Sequence, residues 1–500
     1  MDNISYWIDN TKLKDFDELK EDLECDVCII GGGITGISTA YKLSKQGINV
    51  VVLEREKLAS KTTGFTTAKI TSQHGLFYDY LINSNGLEYA KGYLDANEQA
   101  INDIKNIIDE ENIDCDFEIQ SNYVYTQDES EIKKLQNEIE ALKKLKFPAK
   151  YVKESPLPVN FLAGIEFPNQ AQFNPLKYIS GLYNSILKNG SKIFEHTKVY
   201  DVEKENNGYI TLTKTNKVKS KYVVLACHYP FINAPGFYFL KMYQSTSYAI
   251  VVDTKSKLFS GMYINTENPT LSFKTIKHGD KRLLLVGGND HKTGQNIELK
   301  DRYEVLENTA KNLYPNSEIL YRWSTEDCIS LDKIPYIGVF SKLMPNMFVA
   351  TGFKKWGMTS SNIASNIISD KILGKENPYE DIFTATRLEP IKNRDELGNM
   401  IKQSVNSLVI NKFKIPEEAL ATIKNDSGKI IEINGQNIGV YRNKEGKIYA
   451  VKPVCTHLGC LLKFNDLERT WDCPCHGSRF DYEGNSIYAP SIKNLERIEL

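Results

Sequence analysis

The residues of this 500-residue chain best suited to chemistry lie near the C-terminus, in two short segments that each carry a cysteine and a histidine. The first is Cys455-Thr-His457 and the second is Cys473-Pro-Cys475-His476, and 15 residues separate His457 from Cys473. Two loops of this composition can hold a two-iron cluster between them, with thiolates on one iron and neutral imidazoles on the other. The spacing therefore predicts a [2Fe–2S] cluster, and its imidazole ligands would raise its reduction potential above that of an all-thiolate cluster.

A zinc ion is the alternative, since two cysteines and two histidines are also the ligands of many structural zinc sites. Zinc does not explain two further cysteines, Cys460 and Cys475, which occupy matched places in the two segments. The pattern therefore favours the iron–sulfur cluster over zinc.

The C-terminal region, about residues 408–500, resembles the Rieske domain of the respiratory cytochrome bc complexes. The resemblance implies four cluster ligands, a disulfide that ties the two loops together, and a serine hydroxyl that donates a hydrogen bond to a cluster sulfur. The matching residues are the ligands Cys455, His457, Cys473 and His476, the disulfide pair Cys460 and Cys475, and the serine Ser478.

Two features depart from the respiratory pattern. Phe480 stands where the respiratory proteins usually carry a tyrosine that donates a hydrogen bond to a ligand sulfur. Phenylalanine has no donor, so we expect a lower reduction potential than in the respiratory proteins. The second departure is that no membrane anchor accompanies the region. Ala489-Pro490, in contrast, keeps the pattern, because it resembles the family's Gly-Pro loop that covers the cluster.

A second pattern lies near the N-terminus, where glycines separate a strand-like run from a helical one. Asp26–Ile30 predicts a buried strand, Gly31-Gly-Gly33-Ile-Thr-Gly36 a tight turn, and Ile37–Gln46 a helix. Such glycines let the backbone approach a pyrophosphate, and the helix N-terminus supplies N–H groups and a favourable dipole. A second strand, Ile48–Leu53, ends at Glu54, whose carboxylate can accept hydrogen bonds from a ribose. The segment predicts a dinucleotide site, for FAD or for NAD.

Residues 24–375 resemble the D-amino-acid oxidase-like family of FAD enzymes, which includes glycine, sarcosine and γ-glutamylputrescine oxidases. The resemblance favours FAD and places Ser60–Ala68, with Thr63 and Thr67, on the flavin. It also makes Glu195–Val199 a strand whose backbone, at Val199, lies near the adenine.

Three further segments match this family. Tyr222–Ala226 resembles the strand before a family turn in which Cys227 and His228 here replace the usual residues, and Asp332–Gly338 resembles a loop beside the flavin. The pattern of Phe348–Thr359 predicts a strand, a glycine loop and the start of a helix. The N-terminus of this helix would face the flavin and stabilise negative charge on it. The residues that this last motif assigns to the cofactor are Gly352, Gly357, Met358 and Thr359.

No motif identifies a catalytic residue, since members of this family often need only orientation and a neutral amine. Arg322 could pair with a substrate carboxylate, or with an acid of the protein itself. Cys25 and Cys28 have a redox-like spacing, but they lie on a predicted strand that would turn both thiols into packing. The side chains that could face the flavin are His74, Tyr243, His228, Arg322, Trp323, Lys354 and Lys355.

The composition is that of an ordinary globular protein, 41% hydrophobic with a net charge of −2, and it indicates no polyanionic partner. No apolar run approaches the roughly 20 residues that span a bilayer, and the N-terminus has no signal-peptide pattern. The nine cysteines do not form a secreted disulfide framework. We therefore expect a cytoplasmic protein that binds no nucleic acid and does not insert into a membrane.

The predicted fold class is α/β, a Rossmann-like FAD-binding domain with an interleaved antiparallel-sheet substrate domain, followed by a small all-β domain. The expected boundaries are a lead-in segment at 1–23, the oxidoreductase at 24–375, a linker at 376–407 and the Rieske domain at 408–500.

These features predict a FAD-dependent dehydrogenase of an amine or amino acid that exchanges electrons with a fused cluster and with an unidentified donor or acceptor. Flavin takes two electrons as hydride and the cluster takes one at a time, so a fused cluster suits a relay. A Rieske oxygenase is disfavoured, because the histidines outside the cluster lack the Asp-x-x-His-x-x-x-x-His spacing of a mononuclear iron site. Two alternatives stay open: an oxidase with a structural or sensory cluster, and an electron-transfer or redox-sensing protein without substrate turnover.

Overall fold

The computed structural model describes residues 4–295, 302–387, 423–433 and 436–498. The α-helices of these residues are α1 (Tyr6–Asn10), α2 (Ile34–Ser44), α3 (Tyr78–Asn85), α4 (Leu87–Glu110), α5 (Ile132–Lys144), α6 (Pro175–Lys188), α7 (Arg302–Leu313), α8 (Gly357–Ile372) and α9 (Glu380–Phe383). The strands are β1 (Leu23–Ile30), β2 (Val50–Leu53), β3 (Lys69–Ile70), β4 (Glu118–Thr126), β5 (Lys150–Val152), β6 (Ala163–Gln172), β7 (Lys192–Phe194), β8 (Asp201–Glu205), β9 (Gly208–Leu212), β10 (Lys217–Leu225), β11 (Met242–Asp253), β12 (Met262–Asn265), β13 (Leu271–His278), β14 (Lys281–Lys292), β15 (Glu318–Ser330), β16 (Tyr336–Ser341), β17 (Met344–Thr351), β18 (Ser427–Ile433), β19 (Gln436–Arg442), β20 (Ile448–Val451), β21 (Lys463–Asn465), β22 (Thr470–Asp472), β23 (Arg479–Asp481) and β24 (Ser486–Tyr488).

The first sheet is built around β1, which pairs in parallel with β10 on one side and β2 on the other. Its strand order is β16-β17-β10-β1-β2-β7, with β8 and β9 attached beside β10. Val27 and Ile29 lie in one apolar core, whereas Cys28 and Ile30 lie in another, as expected of a parallel strand that is covered on both faces. The parallel strands bring their carboxyl ends to one edge of the sheet, where nucleotide sites form in such folds.

The second sheet is mostly antiparallel, with the order β15-β11-β14-β13-β12-β4-β6-β3. Alternate residues of its strands serve two cores because side chains alternate across a strand. Val251 and Leu285 pack in the core shared with the first sheet, whereas Ile250 and Val286 pack in the core that contains Leu306 of α7. The sheet therefore stands between the nucleotide-binding half and α7.

The C-terminal region from β18 onward consists of two small antiparallel sheets, β18-β19-β20 and β21-β22-β23-β24. Trp471 is fully buried at its centre and packs edge-on against Phe464, with the ring centroids 4.7 Å apart. Phe480 joins Trp471 in a core that also contains Cys455 and Cys473. Cys455 and Cys473 thus lie on a packed apolar support.

This architecture confirms the predicted fold class, an α/β oxidoreductase fold with an interleaved antiparallel sheet and a small β-rich C-terminal region. Over the part of the chain that the structure covers, no helix is both long and apolar enough to cross a membrane.

The expected lead-in segment is part of the fold. The side chain of Ser5 caps α1, and Tyr6 and Trp7 are almost completely buried. The Trp7 indole N–H donates to the carbonyl of Thr66 at 2.7 Å, and the Tyr6 hydroxyl donates to the carbonyl of Lys277 at 2.9 Å. These two aromatic residues fix the segment against the oxidoreductase.

The expected linker at 376–407 begins later than the sequence indicated. Ile382 and Phe383 of α9 are buried, and the Tyr89 hydroxyl donates to the carbonyl of Ile382 at 2.5 Å. Arg387 then forms an ion pair with Asp332 at 2.6 Å. The two buried apolar residues and this ion pair hold residues 376–387 on the oxidoreductase. Residues 388–407 of the expected linker and 408–422 of the expected Rieske domain lie outside the described part of the chain.

The segment Glu195–Val199 is a loop, because β7 ends at Phe194. The carboxylate of Glu195 accepts hydrogen bonds from the backbone N–H groups of Leu58 and Phe16, and His196 takes a left-handed φ of 52°. This backbone conformation ends the strand and explains why the predicted strand is wrong.

Candidate functional site

Two loops of the C-terminal region present the cysteine and histidine pairs, and their backbones are built alike. In the first loop, which follows β20, the N–H of Gly459 donates to the carbonyl of Cys455 at 2.9 Å. In the second, between β22 and β23, the N–H of Gly477 donates to the carbonyl of Cys473, also at 2.9 Å. A disulfide joins Cys460 to Cys475, with the Cα atoms 6.6 Å apart. The two loops therefore face each other as a linked pair.

The donor atoms of the two loops suit a metal cluster. The imidazoles of His457 and His476 lie 5.1 Å apart, and within the described part of the chain the Nδ1 atom of each is buried without a hydrogen-bond partner. Burial lowers the pKa of His457 to about 4 and, together with the neighbouring ring, that of His476 to about 3, so both rings are neutral. A hydrogen bond from Cys473 lowers the pKa of Cys455 to about 7. Neutral imidazoles and an acidic thiol are the forms that bind metal, and iron would satisfy the orphaned nitrogens.

The residues expected around the cluster occupy consistent positions. The Ser478 hydroxyl is hydrogen-bonded to the Cys455 thiol, lowering its pKa, and its oxygen accepts from the N–H of Ser491 at 3.0 Å. Phe480 is fully buried in the same core. Its ring offers no donor to a sulfur, whereas Ser478 does.

The histidine side of the loops packs against the oxidoreductase instead of facing solvent. The Nε2 atom of His457 lies 2.8 Å from Oδ1 of Asn233, and the ring of Phe239 stands edge-on to both imidazoles at 5.5 Å. The amide of Gln244 donates to the carbonyl of His476 at 3.2 Å. His476 is only 4% exposed. We call these contacts the docking face: Asn233, Phe239 and Gln244 on one side, His457 and His476 on the other.

A buried ion pair crosses the same boundary. Arg479 of the C-terminal region pairs with Glu326 of β15 and with Asp472, the latter at 2.9 Å. All three side chains are at most 3% exposed. Charges buried to this degree are stable only when paired, and Arg479 has one carboxylate partner on each side of the boundary.

The glycine turn at the end of β1 is shaped for close approach of a ligand. Gly31 has a φ of +114°, and a Cβ there would lie 2.5 Å from the carbonyl oxygen of Ala226. A side chain at Gly36 would overlap the carbonyl of Gly31. Gly33 precedes α2 and has no side chain to cap it, whereas the first N–H of the helix, that of Ile34, donates to the Thr63 hydroxyl at 3.1 Å. The Glu54 carboxylate accepts from the N–H of Gly32 at 2.7 Å and thereby stands beside the turn.

A continuous cavity runs from this turn to the second sheet. Two of the residues assigned to the cofactor do not line the cavity. Gly36 packs inside the glycine turn, and the Thr359 hydroxyl lies 3.5 Å from the carbonyl of Thr71. The other residues assigned to the cofactor all line it: Gly31, Gly33, Glu54, Thr63, Thr67, Val199, Gly352, Gly357 and Met358.

The N-terminus of α8 opens onto this cavity. The loop before it turns at Gly352, with a φ of +72°, and Trp356 at the N-cap position provides no side-chain cap. Positive helix ends stabilise negative charge, and that is what a reduced flavin requires of its surroundings. The imidazole of His228 also lines the cavity, and its Nε2 atom is buried without a partner. The glycine cradle, the two helix ends and this orphaned nitrogen fit a bound FAD.

Several side chains proposed to face the flavin lie elsewhere. His74 is 2.7 Å from the Tyr93 hydroxyl and stacks on Trp356, and Arg322 forms an ion pair with Glu307 at 2.5 Å. Tyr243, Trp323 and the segment Asp332–Gly338 likewise do not line the cavity, whereas His228, Lys354 and Lys355 do. Strand alternation alone could not assign these faces, because both faces of the second sheet are covered.

The sequence missed a polar cluster at the second-sheet end of the cavity. The Lys355 amine lies 3.0 Å from a carboxylate oxygen of Asp327, 3.5 Å from one of Asp290 and 2.5 Å from the Ser247 hydroxyl. Burial acts to lower the pKa of Lys355, but the two carboxylates raise it above its usual value. These residues come from β11, β14, β15 and the loop before α8, so spacing gave no signal for them.

Two further lysines, Lys69 and Lys354, also line the cavity wall. Burial lowers the pKa of Lys69 to about 7, and its amine donates to the carbonyl of Tyr263 at 2.7 Å. Burial and the nearby cations Lys333 and Lys355 lower the pKa of Lys354 to about 7 as well. Both amines can therefore exchange protons near neutral pH.

A Rossmann-like sheet with a glycine cradle, joined to a β module with two cysteine–histidine loops, defines a flavoprotein oxidoreductase with an iron–sulfur domain. The family model for FAD dependent oxidoreductases matches residues 26–371, and the model for the Rieske [2Fe-2S] domain matches residues 415–499. The chain belongs to the FAD dependent oxidoreductase family and carries a C-terminal Rieske [2Fe-2S] domain. Its cofactors are FAD and a [2Fe–2S] cluster.

The chain is similar over nearly its whole length to YhfW of Bacillus subtilis (strain 168), which is named as a Rieske 2Fe-2S iron-sulfur protein. The two are 40% identical over 497 residues, 99% of this chain and 97% of the relative. Gamma-glutamylputrescine oxidoreductase of Escherichia coli (strain K12) is 22% identical over 383 residues, 74% of this chain and 88% of its own length. The first match thus spans both parts of the chain, whereas the second covers about three quarters of it.

Among solved structures, glycine oxidase from Geobacillus kaustophilus superimposes with a TM-score of 0.63 and 18% sequence identity. The match covers 74% of this chain and all of that enzyme. At this identity the likeness establishes the fold.

Proposed function

We propose that the protein is a FAD-dependent dehydrogenase of an amine or amino acid, and that electrons pass between its flavin and its own [2Fe–2S] cluster. The docking face carries this proposal. Cys227 and His228 line the FAD cavity, and the same segment continues to Asn233 and Phe239, which contact the ligand histidines. The histidine edge of the cluster therefore lies against the segment that walls the flavin site.

The site residues of this proposal follow from the motifs and the geometry. Ser478 serves as a hydrogen-bond donor to a cluster sulfur. The proposed cluster ligands are Cys455, His457, Cys473 and His476, and the proposed FAD residues are Gly31, Gly33, Gly36, Glu54, Thr63, Thr67, Val199, Gly352, Gly357, Met358 and Thr359.

When bound, flavin accepts hydride from a carbon attached to nitrogen and releases the electrons one at a time. The chain supplies the surroundings for this chemistry. The N-terminus of α8 favours negative charge at the cavity, and Lys355, Asp327 and Asp290 form a polar surface that can orient an amine. The amine class is supported by the names of two similar proteins, glycine oxidase and gamma-glutamylputrescine oxidoreductase.

The buried pair between Arg479 and Glu326 supports a relay that works in the docked arrangement. The pair and the docking face hold the Rieske region against the oxidoreductase, so electron exchange can take place without undocking. An external one-electron acceptor completes the circuit, because each oxidised amine delivers two electrons that must leave the protein one at a time.

The proposal is tested by adding a panel of amines and amino acids to the holoprotein without oxygen, and following flavin absorbance and the EPR signal of the reduced cluster together. We expect at least one amine to bleach the flavin and to produce the cluster signal in the same sample. Bleaching with a cluster that stays oxidised would contradict the relay. Failure of the whole panel to reduce the flavin would favour a redox-sensing protein without turnover.

A further inference from the structure

Part of the cavity wall comes from the Rieske region. Four residues at and after β24 line the same cavity as the glycine turn: Ile487, Tyr488, Ala489 and Ile492. Ile487, Tyr488 and Ala489 are only partly buried, so this loop keeps surface that borders the cavity. We call residues 487–492 the wall loop.

Cationic side chains from the dinucleotide half hold the wall loop by its backbone. Nη2 of Arg55 donates to the carbonyl of Ile487 at 2.8 Å, and the amine of Lys198 donates to the carbonyl of Ile492 at 2.5 Å. Both cations line the cavity and flank Glu54 and Val199, which were assigned to the ribose and the adenine. The wall loop is thus fixed at the dinucleotide end of the cavity.

The side chain of Tyr488 ties the wall loop to the flavin segment and to the buried ion pair. The amine of Lys61 lies 5.4 Å from the centre of the Tyr488 ring, and the guanidinium of Arg479 lies 6.0 Å from the same point. The Tyr488 hydroxyl is hydrogen-bonded to Glu326, and burial raises its pKa well above the usual value. The phenol therefore stays protonated and remains a donor to Glu326.

We propose that the Rieske region is a structural part of the FAD site: the wall loop closes the cavity at its dinucleotide end, and FAD exchanges with solution only when the Rieske region undocks. This role goes beyond electron transfer. It depends on neither the substrate nor the direction of electron flow.

The physical basis is the coupling of two equilibria. Opening the wall requires separating Arg479 from Glu326 and Tyr488 from its contacts, and an uncompensated buried charge makes such opening rare. A cofactor behind a rarely opened wall leaves slowly, even when its direct contacts are unchanged. Weakening the wall should therefore accelerate FAD release without altering the glycine cradle.

The test compares Tyr488→Ala with Tyr482→Ala, a matched change in the same region. Tyr482 packs on Tyr441 and Tyr449, each at 4.9 Å, and does not line the cavity. Each holoprotein is diluted into buffer, and release is followed by the rise of free FAD fluorescence, with the EPR signal of the reduced cluster as the check that the Rieske region is folded. Tyr488→Ala removes the aromatic ring that ties the wall loop to Lys61 and Arg479, so we expect release to be about ten-fold faster in this variant. Tyr482→Ala should match the unmodified protein.

Glu326→Ala opens the same wall from the other side and provides a second, independent variant. Arg479 keeps Asp472 as its partner in that variant, so the cluster loops stay supported. We expect faster FAD release again, with an unchanged cluster signal. If Tyr488→Ala releases FAD at the unmodified rate, the proposal is overturned. If Tyr488→Ala does not fold, the same result in Glu326→Ala overturns it. The rate of FAD release can be measured whether or not any amine reduces the flavin.

Discussion

The cluster loops and the FAD cavity are built in opposite ways. The proposed cluster ligands lie within 22 residues, 455–476, in two loops that are joined by one disulfide and closed by matched internal backbone hydrogen bonds. The FAD cavity takes its wall from residues between Ile30 and Ile492, nearly the whole chain. One site is local and self-supporting, and the other exists only when distant parts are assembled.

This difference predicts an asymmetric dependence. Damage inside the cluster loops should leave the FAD cavity intact, because the wall loop lies outside them and is held by Arg55 and Lys198. Damage to the boundary between the two parts should open the FAD cavity, and loss of Arg479, which pairs with Glu326 and with Asp472, should destabilise both sites. The following changes test that asymmetry, from the largest expected effect to the smallest.

Replacing a ligand should remove the cluster altogether. His457→Ala deletes one of the four donors, and the remaining three cannot hold both irons. We expect loss of the EPR signal and of bound iron, with the flavin absorbance of the purified protein unchanged. Loss of FAD in parallel would show that the two sites are not separable in this way.

Arg479→Met should be the most destabilising change at the boundary. It leaves Glu326 and Asp472 buried without their cation, and breaking such a pair costs about 3–5 kcal/mol. Urea unfolding followed by cluster absorbance measures this cost. Arg469→Met is the control, since its pair with Asp426 is partly exposed and pairs of that kind contribute about 0–1 kcal/mol. Equal losses of stability in the two variants would argue against a stabilising role of the buried Arg479 ion pair.

Removing the disulfide should destabilise the cluster loops alone. The double change of Cys460→Ala with Cys475→Ala opens a loop of sequence separation 15, and closing a loop of this length is worth about 3 kcal/mol. Thermal loss of cluster absorbance should occur at a lower temperature, while FAD release at 25 °C stays as in the unmodified protein. Faster FAD release would mean that the wall loop depends on the disulfide.

Phe480→Tyr should raise the reduction potential of the cluster. The new hydroxyl can donate a hydrogen bond toward a ligand sulfur, and one such bond, about 1.4 kcal/mol, corresponds to about 60 mV for one electron. Ser478→Ala should lower the potential by a similar amount because it removes an existing donor. Redox titration by EPR measures both, with Phe464→Tyr as a control in the same core that should leave the potential unchanged.

The parts that could be predicted from the sequence are those whose neighbours in space are also neighbours along the chain. The glycine turn needs only the strand before it and the helix after it, so its position between β1 and α2 could be predicted. The fold class followed for the same reason, since each strand and helix has its own periodicity.

The parts that could not be predicted depend on distant contacts. Asn233 and His457 are 224 positions apart, and no spacing connects them. Arg322 was a candidate for the substrate because the sequence does not reveal which covered face of β15 it occupies, and its partner Glu307 lies on α7. The wall loop was missed because Ala489-Pro490 was assigned only to the cluster.

We propose that flavin and cluster exchange electrons within one docked chain. The most direct test reduces the flavin with a light pulse in the absence of oxygen. The reduction of the cluster is then timed at several protein concentrations. We predict a first-order rate that does not change with protein concentration and that falls in Asn233→Ala, which removes the contact to His457. A rate proportional to protein concentration, or a cluster that stays oxidised while the flavin is reduced, would contradict the claim.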